Sequence, residues 1–422
     1  MEFLKKVYKN KYLKFFLIAA FFSLLVVSRR VDVVTYPQFY AEDGVFWFSE
    51  AYGADHFWQP FLIPKQGYFQ TVSRVGGLLG NMVGIGRAPL VFNVFAILFQ
   101  ILPALYFLSA RFGKLVPKLW QRFLCSLAYL SLLGTAEINA NLTNVQWRLA
   151  LLMFLIIIVP KSKKISWRIF DWALLFLAGL SGPFIFFALP IAIIYFYKNL
   201  FKEFLDKFAI LAVTFLIQLY SYLFIVNDAA RSTAPLGASF VNFFKILSGD
   251  VFVRSLLGTD YVKKIIELGL WENGSLPISF GVAGVAVLGY VFWKAQMELK
   301  LFIIFAFLVF AGALSSPQVS LIKPQWDVMT GGPGGRYYFL PGLAWMISLG
   351  WLFFNSEKRF LKTFVGILLA CFVFIGLPHD WVFAKYKDYH FNQQIHEFKS
   401  VKVGDQYKFR IVPKWDMYLK KK

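Results

Sequence analysis

The feature that most limits this chain is a recurrence. Apolar runs of about 15–22 residues return throughout its length, and short clusters of Lys and Arg follow many of them. A run of that length is the signature of a membrane-spanning helix, in which every backbone group bonds within the segment. The runs fall near 12–28, 88–110, 123–137, 147–160, 208–226, 276–293, 301–315, 337–354 and 363–377. A further stretch, Ile169–Tyr197, has 29 residues and is too long for one ordinary span. Gly182-Pro183 breaks it into two, because proline removes a helical donor. The expected fold is therefore an all-α polytopic membrane protein of about eleven spans.

The basic clusters set an orientation. Lys5, Lys6, Lys9, Lys11 and Lys14 precede the first run, which places the N-terminus inside by the positive-inside rule. Arg111, Lys114, Lys118 and Arg122, then Lys161, Lys163, Lys164 and Arg168, then Lys198, Lys202 and Lys207, then Lys294 and Lys300, then Lys358, Arg359 and Lys362 all fall on that same side. The net charge of +21 is thereby explained by membrane topology. No soluble basic domain exists to bind nucleic acid. Arg29-Arg30 follows the first run where a cleavage site would need small residues, so the run reads as an uncleaved helix.

Residues 1–378 then make a membrane domain with three large outer loops, 29–87, 227–275 and 316–336, and 379–422 make an outer tail. The end of the first loop, Val75 to Gly86, is Gly-rich and amphipathic, a re-entrant or interfacial pattern. Ser239–Leu257 has helical apolar spacing and is expected to lie on the membrane surface. Tyr407 to Ile411 alternates with period two, as a strand does. The tail is basic although outside; long tails cross regardless of charge.

The unusual polar positions gather on the outer face. Tyr40-Ala41-Glu42-Asp43-Gly44 follows the first span, with Gly67-Tyr68 and Arg74 further on. Glu137, Asn144, Trp147, Arg148, Lys323, Trp326, Asp327, Arg336 and Tyr337 join them. Acids beside a bilayer lose solvation and persist for function. A one-sided cluster suits an enzyme with a lipid-borne donor and an outer acceptor, whereas a transporter places such groups at mid-membrane on broken helices. Transfer of a sugar from a polyprenyl phosphate needs one carboxylate as base, because the leaving phosphate is already a stable anion. It also needs Arg or Lys on the phosphate and aromatics against sugar faces. A glycosidase would need two carboxylates across the bond, and sequence neighbours such as Glu42 and Asp43 usually point apart.

Ala41-Glu42-Asp43-Gly44, Gly67-Tyr68 and Arg74, Asn144-Val145-Gln146-Trp147, Gly179-Leu180-Ser181-Gly182-Pro183-Phe184 and Gly334-Gly335-Arg336-Tyr337-Tyr338, in that order, resemble bacterial GT-C-type membrane glycosyltransferases. The kind in view uses polyprenyl-phosphate sugars to decorate O-antigen or other surface polysaccharides. The resemblance covers most of the chain. It implies a GT-C-like fold in the cytoplasmic membrane, with active site and C-terminus outside. It implies a polyprenyl-phosphate-linked sugar as donor and a glycan as acceptor, with a small flippase and a donor-synthesising glycosyltransferase as partners. The catalytic base carries over to Asp43 or Glu42; Glu-Asp stands where that family writes Asp-x-Asp or Asp-Glu, so both remain candidates. Arg336, Tyr337, Arg74, Tyr68, Trp147, Arg148, Asn144 and Lys323 are the candidates for holding the donor's phosphate and sugar. No cofactor or metal is indicated.

Plainer roles stand beside these. Glu42 and Asp43 could cap a juxtamembrane helix or pair with Arg74. Arg336 could anchor a helix start, and Trp147 and Arg148 could belong to an interfacial belt. Glu137 is expected to bond a neighbouring helix or face the outer cavity. Gly331 to Gly335 is no nucleotide loop, since it lacks the Lys-Ser/Thr ending. His56, His379, His390 and His396 read as surface residues, Cys125 and Cys371 as unpaired, and the sequons at Asn141 and Asn273 as chance. The rival functions are a transporter or flippase for lipid-linked sugars and a non-catalytic subunit of an envelope assembly complex.

Overall fold

The computed structural model describes residues 10–199, 201–225 and 232–422. Lys5, Lys6 and Lys9, and Asn227 where the second large loop was expected to begin, lie outside the described residues. The chain is all-α apart from one hairpin near its C-terminus. Six described helices are long and apolar enough to cross a membrane: Ala88–Leu108, Phe201–Phe224, Ser275–Lys294, Met297–Ser315, Gly335–Asn355 and Arg359–Asp380. The remaining five of the eleven expected runs also fall on helices, but shorter ones: Tyr12–Ser28, Leu119–Leu130, Val145–Ile158, Ile165–Gly179 and Ile185–Lys198. The break at Gly182-Pro183 is where the last two of these part.

Val145–Ile158 is the central helix. Every residue in it except Gln146 is buried, and beyond Arg148 it is apolar on all sides, as a helix enclosed by others is. It packs against Ala88–Leu108, Ile165–Gly179, Ile185–Lys198 and Gly335–Asn355. The outer helices turn apolar stripes away from the core: Leu90, Val94 and Leu98 on one, Phe360, Phe364 and Ile367 on another, all exposed. Contiguous apolar surface of that kind has lipid as its matching solvent. The arrangement is that of a multi-pass membrane protein.

The tail does not stand apart. Residues 380–390 run along residues 28–38: Phe383 N donates to Arg29 O at 2.7 Å, Tyr386 N to Asp32 Oδ2 at 2.9 Å and Tyr389 N to Gln38 Oε1 at 2.9 Å. Arg29 is buried and gives its guanidinium to the carbonyls of Leu130 and Leu132, both at 3.0 Å. Arg30 reaches Ala136 O at 2.9 Å and the Tyr386 hydroxyl at 2.6 Å. The expected strand is β1, Gln406–Ile411, paired antiparallel with β2, Trp415–Lys420.

Two expectations change. The Ser239–Leu257 segment is helical, but Ile246 to Phe252 are all buried, so it does not lie on a surface. Its polar residues bond protein: Ser248 Oγ donates to Pro277 O at 2.8 Å, and Asp250, paired with Arg254 at 2.5 Å, accepts from Gly331 N at 3.0 Å. The Gly-rich stretch before Arg336 is thus tied down by that ion pair. The amphipathic end of the first loop is the helix Thr71–Val83, whose Gly77 faces the Trp47 carbonyl and whose Gly80 faces Phe92.

Candidate functional site

The two adjacent acids owe their position to a strained turn. Ala41 has φ 44°, a left-handed conformation that costs a non-glycine residue about 1 kcal/mol or more. The tail holds it there, since Ala41 N donates to Val412 O at 2.6 Å. Glu42 follows, and Asp43–Phe48 forms a π-helical turn, a shape often found at functional sites. Gly44 allows the hairpin to close on this turn: a Cβ there would lie 2.8 Å from Ile411 Cδ1.

A second strained loop meets the first. Ala140 has φ 53° and donates its N–H to Gln100 Oε1 at 2.9 Å. Asp43 is fully buried; its Oδ2 accepts from Leu142 N at 3.2 Å, while Oδ1 has no partner. Thr143 lies beside both carboxylates and accepts from Trp47 Nε1 at 3.0 Å. Its single hydroxyl proton serves one carboxylate at a time. The neighbours therefore converge, contrary to the sequence expectation. Glu42 sits before the π-helical turn on a longer side chain and reaches the same threonine.

Arg336 arrives from another helix. Gly335 lets the loop bearing Glu137 approach closely, since a Cβ would sit 2.8 Å from Gly134 O. Glu137 pairs with the Arg336 guanidinium and accepts the Arg336 N–H at 3.1 Å, capping the Gly335–Asn355 helix where its dipole favours a carboxylate. Arg336 also donates to Gln318 O at 2.7 Å and to the Tyr337 hydroxyl at 2.8 Å. Trp147 backs the group, with its ring 5.7 Å from that of Tyr337. Asn144 holds the base of the site, donating to Glu137 O at 3.2 Å and to Asn141 Oδ1 at 2.9 Å.

Tyr40, Glu42, Glu137, Arg336 and Tyr386 are half-buried and form the mouth, with Asp43 beneath them. Glu137 and Glu42 thus face one guanidinium, with Asp43 behind Glu42. Burial holds the Asp43 carboxyl well above the usual carboxylate range and raises that of Glu42 as well. Burial also pushes the Tyr386 phenol up to about 12, so it stays neutral. Acids whose proton affinity is raised toward neutral pH are suited to accept a proton from a ligand hydroxyl.

Of the residues named from sequence, Glu42, Asp43, Arg336, Tyr337, Asn144 and Trp147 come together here. The others do not. Arg74 is buried but committed elsewhere: it pairs with Glu50, donates to Ile63 O at 2.8 Å and lies over Trp47. It lines a cavity of about 190 Å³ with Ala51, Asp55, Phe57 and Asn81. Pairing of Arg74 with Glu42 or Asp43 is thereby replaced by pairing with Glu50. Tyr68 is half-buried near Gln66, at 3.2 Å. Arg148 is buried among rings, its guanidinium 4.3 Å from that of Phe339, and is no interfacial belt residue. Lys323 is exposed on the 316–334 loop.

Sequence reasoning named Tyr40 without giving it a role and missed Asn141, Thr143 and Tyr386. Asn141 and Thr143 were set aside as a chance sequon; Asn141 is in fact 3% exposed and donates to Glu137 O at 2.6 Å. Their signal was density: four polar residues within Asn139 to Asn144, ahead of an apolar helix. Tyr386 lies more than 340 residues from Tyr40 in sequence, yet their rings are 5.4 Å apart. Among the described residues no group of three or more His, Cys, Asp or Glu is arranged to hold a metal ion. No protein-family model, curated protein or solved structure matches this chain.

Proposed function

We propose that this protein is a GT-C-like glycosyltransferase with about eleven spans. It moves one sugar from a polyprenyl phosphate to a surface glycan on the outer side of the bacterial cytoplasmic membrane. The observation that carries the reading is Glu42. It is a half-buried carboxylate with raised proton affinity, set between buried Asp43 and the Arg336 guanidinium at the start of a membrane-length helix. That is the depth of a lipid phosphate.

Glu42 takes the proton of the acceptor hydroxyl as that oxygen bonds to the sugar's anomeric carbon. The bond from that carbon to the phosphate oxygen breaks, and its electron pair leaves with the polyprenyl phosphate. Arg336 meets the charge that builds on the departing oxygen. Asp43 is the inner acid: it holds Leu142 N and keeps the two strained loops in register. Accessibility separates the roles, because Asp43 is 1% exposed and cannot meet a ligand directly. A flippase and a donor-synthesising glycosyltransferase remain the partners such an enzyme requires.

The test is transfer from purified lipid-phosphate sugar. Glu42→Gln should lower the rate about 10²–10⁴-fold, the usual loss for a missing general base, with lipid binding retained. Near-wild-type turnover in Glu42→Gln and in Asp43→Asn alike would exclude this loop as the catalytic centre.

A further inference from the structure

A phosphate oxygen only accepts hydrogen bonds, so a site for it is defined by its free donors. At this mouth most of the charged and amide donors are already engaged. Arg336 gives its terminal nitrogens to Glu137, Gln318 O and Tyr337. The amides of Asn141 and Asn144 are spent on Glu137 O and on each other's loop. Arg30 is taken by Ala136 O, Ala384 O and Tyr386. Of the donors left over, Trp147 Nε1 is buried and the buried Tyr337 hydroxyl already accepts from Arg336 and from Gln318 N; the half-buried one is Tyr40. Its hydroxyl has no hydrogen-bond partner among the described residues, and it lies within electrostatic reach of Glu42, Glu137 and Arg336.

The ring is fixed even though the hydroxyl is free. It packs tilted against Tyr386, which the Arg30 guanidinium covers at 4.1 Å, and its backbone bridges to Val412. A fixed ring with an unspent hydroxyl is a pre-oriented donor, and fixing it in advance lowers the entropic cost of binding. Burial and the neighbouring acids hold the phenol well above its ordinary range, so it keeps its proton and remains a donor. A neutral donor also suits a crowded acidic site, where a second cation would pair with Glu42 and block the base.

Resting on the glycosyltransferase reading, we propose that Tyr40 is a hydrogen-bond donor to the lipid phosphate, acting beside the Arg336 charge. Arg336 supplies charge and Tyr40 supplies direction. It takes the place sequence reasoning gave to Arg74, which is bound to Glu50.

Binding of undecaprenyl phosphate and of undecaprenol to the full-length protein in nanodiscs tests this without relying on turnover. Wild type should prefer the phosphate. Tyr40→Phe should weaken phosphate binding about tenfold, the scale of one hydrogen bond to a charged group, and leave undecaprenol binding and the melting temperature unchanged. Tyr40→His, which returns an N–H donor, should recover part of the loss. Wild-type phosphate affinity in Tyr40→Phe would overturn the inference and leave the glycosyltransferase reading standing. An equal weakening for phosphate and alcohol would also overturn it, by showing a packing role. A wild-type protein that does not distinguish phosphate from alcohol would bring down both.

Discussion

At the Ile158 end of the central helix, each acid has a basic partner. Asp171 accepts from Arg111 at 2.6 Å and from the Tyr106 hydroxyl at 2.8 Å. Lys207 caps the carbonyls of Ile156 and Val159 at 2.7 and 2.6 Å, closing the C-terminus of that helix. Asp206 takes Lys161 at 3.2 Å and Trp172 at 3.1 Å. At the Asn144 end, Glu42 and Glu137 face one arginine, Asp43 Oδ1 has no partner, and the Tyr40 hydroxyl is free among the described residues. Both ends bury ionisable groups. Both leave some atoms without a partner, Asp206 Oδ1 and Arg168 Nε among them at the first end, but an acid short of a cation persists where a ligand or proton completes it. The difference is one of cations: Asp171 and Asp206 pair with Arg111 and Lys161, whereas Glu42 and Asp43 form no ion pair among the described residues.

Substitution should expose that contrast most strongly in stability. Asp171→Ala strands the Arg111 charge in a buried site, which should cost about 3–5 kcal/mol. Glu42→Gln, at the mouth of the other end, should stay within about 0.5 kcal/mol of wild type. Thermal unfolding in detergent measures both; equal losses would erase the distinction between the two ends.

A smaller effect concerns Arg336. Arg336→Ala should reduce transfer about a hundredfold, in the range for loss of a donor to a developing anion. Arg336→Lys keeps the charge without the fork and should lose about tenfold. Steady-state transfer assays read both. A lysine variant no better than the alanine variant would make the geometry of the Glu137 pair, and not charge on the phosphate, the role of Arg336.

The smallest effect carries a sign. Burial makes the folded Asp43 hold its proton more tightly than the unfolded chain does. Wild-type stability should therefore fall as pH rises from the ordinary carboxylate range through the raised folded value. Asp43→Asn lacks that slope. It should be more stable than wild type by about 1 kcal/mol at pH 8, as relief of a strained functional site often is, with the gap closing below about pH 4. Melting curves across pH measure it, and a variant less stable than wild type at pH 8 would show that the bond from Leu142 N outweighs the cost of burying the Asp43 charge.

Much of the fold was legible because membrane helices announce themselves. All eleven apolar runs fall on helices, and Gly182-Pro183 breaks where proline chemistry requires. Length was legible for the central helix, read at 147–160 and found at Val145–Ile158 with 14 residues, and less so for the run near 123–137, where the helix Leu119–Leu130 has 12. The candidate site was half visible. Glu42, Asp43 and Arg336 stand out as charges beside apolar runs. Arg74 misled because its partner, Glu50, was hidden by the fold of the intervening loop. Tyr386 and Val412 could not be placed, because their contacts with Tyr40 and Ala41 close only after hundreds of residues have packed.

The most direct measurement is sidedness of turnover. Protein is reconstituted into sealed vesicles, its orientation read by impermeant labelling of cysteines placed at Thr330 and Ser162. The labelled lipid-phosphate sugar is confined to one leaflet, with acceptor glycan on the same side. The expected result is transfer only when the Thr330 side faces donor and acceptor, abolished by Glu42→Gln. Transfer with substrates on the Ser162 side alone, or an unchanged rate in Glu42→Gln, would contradict the assignment of catalysis to the acid-rich end.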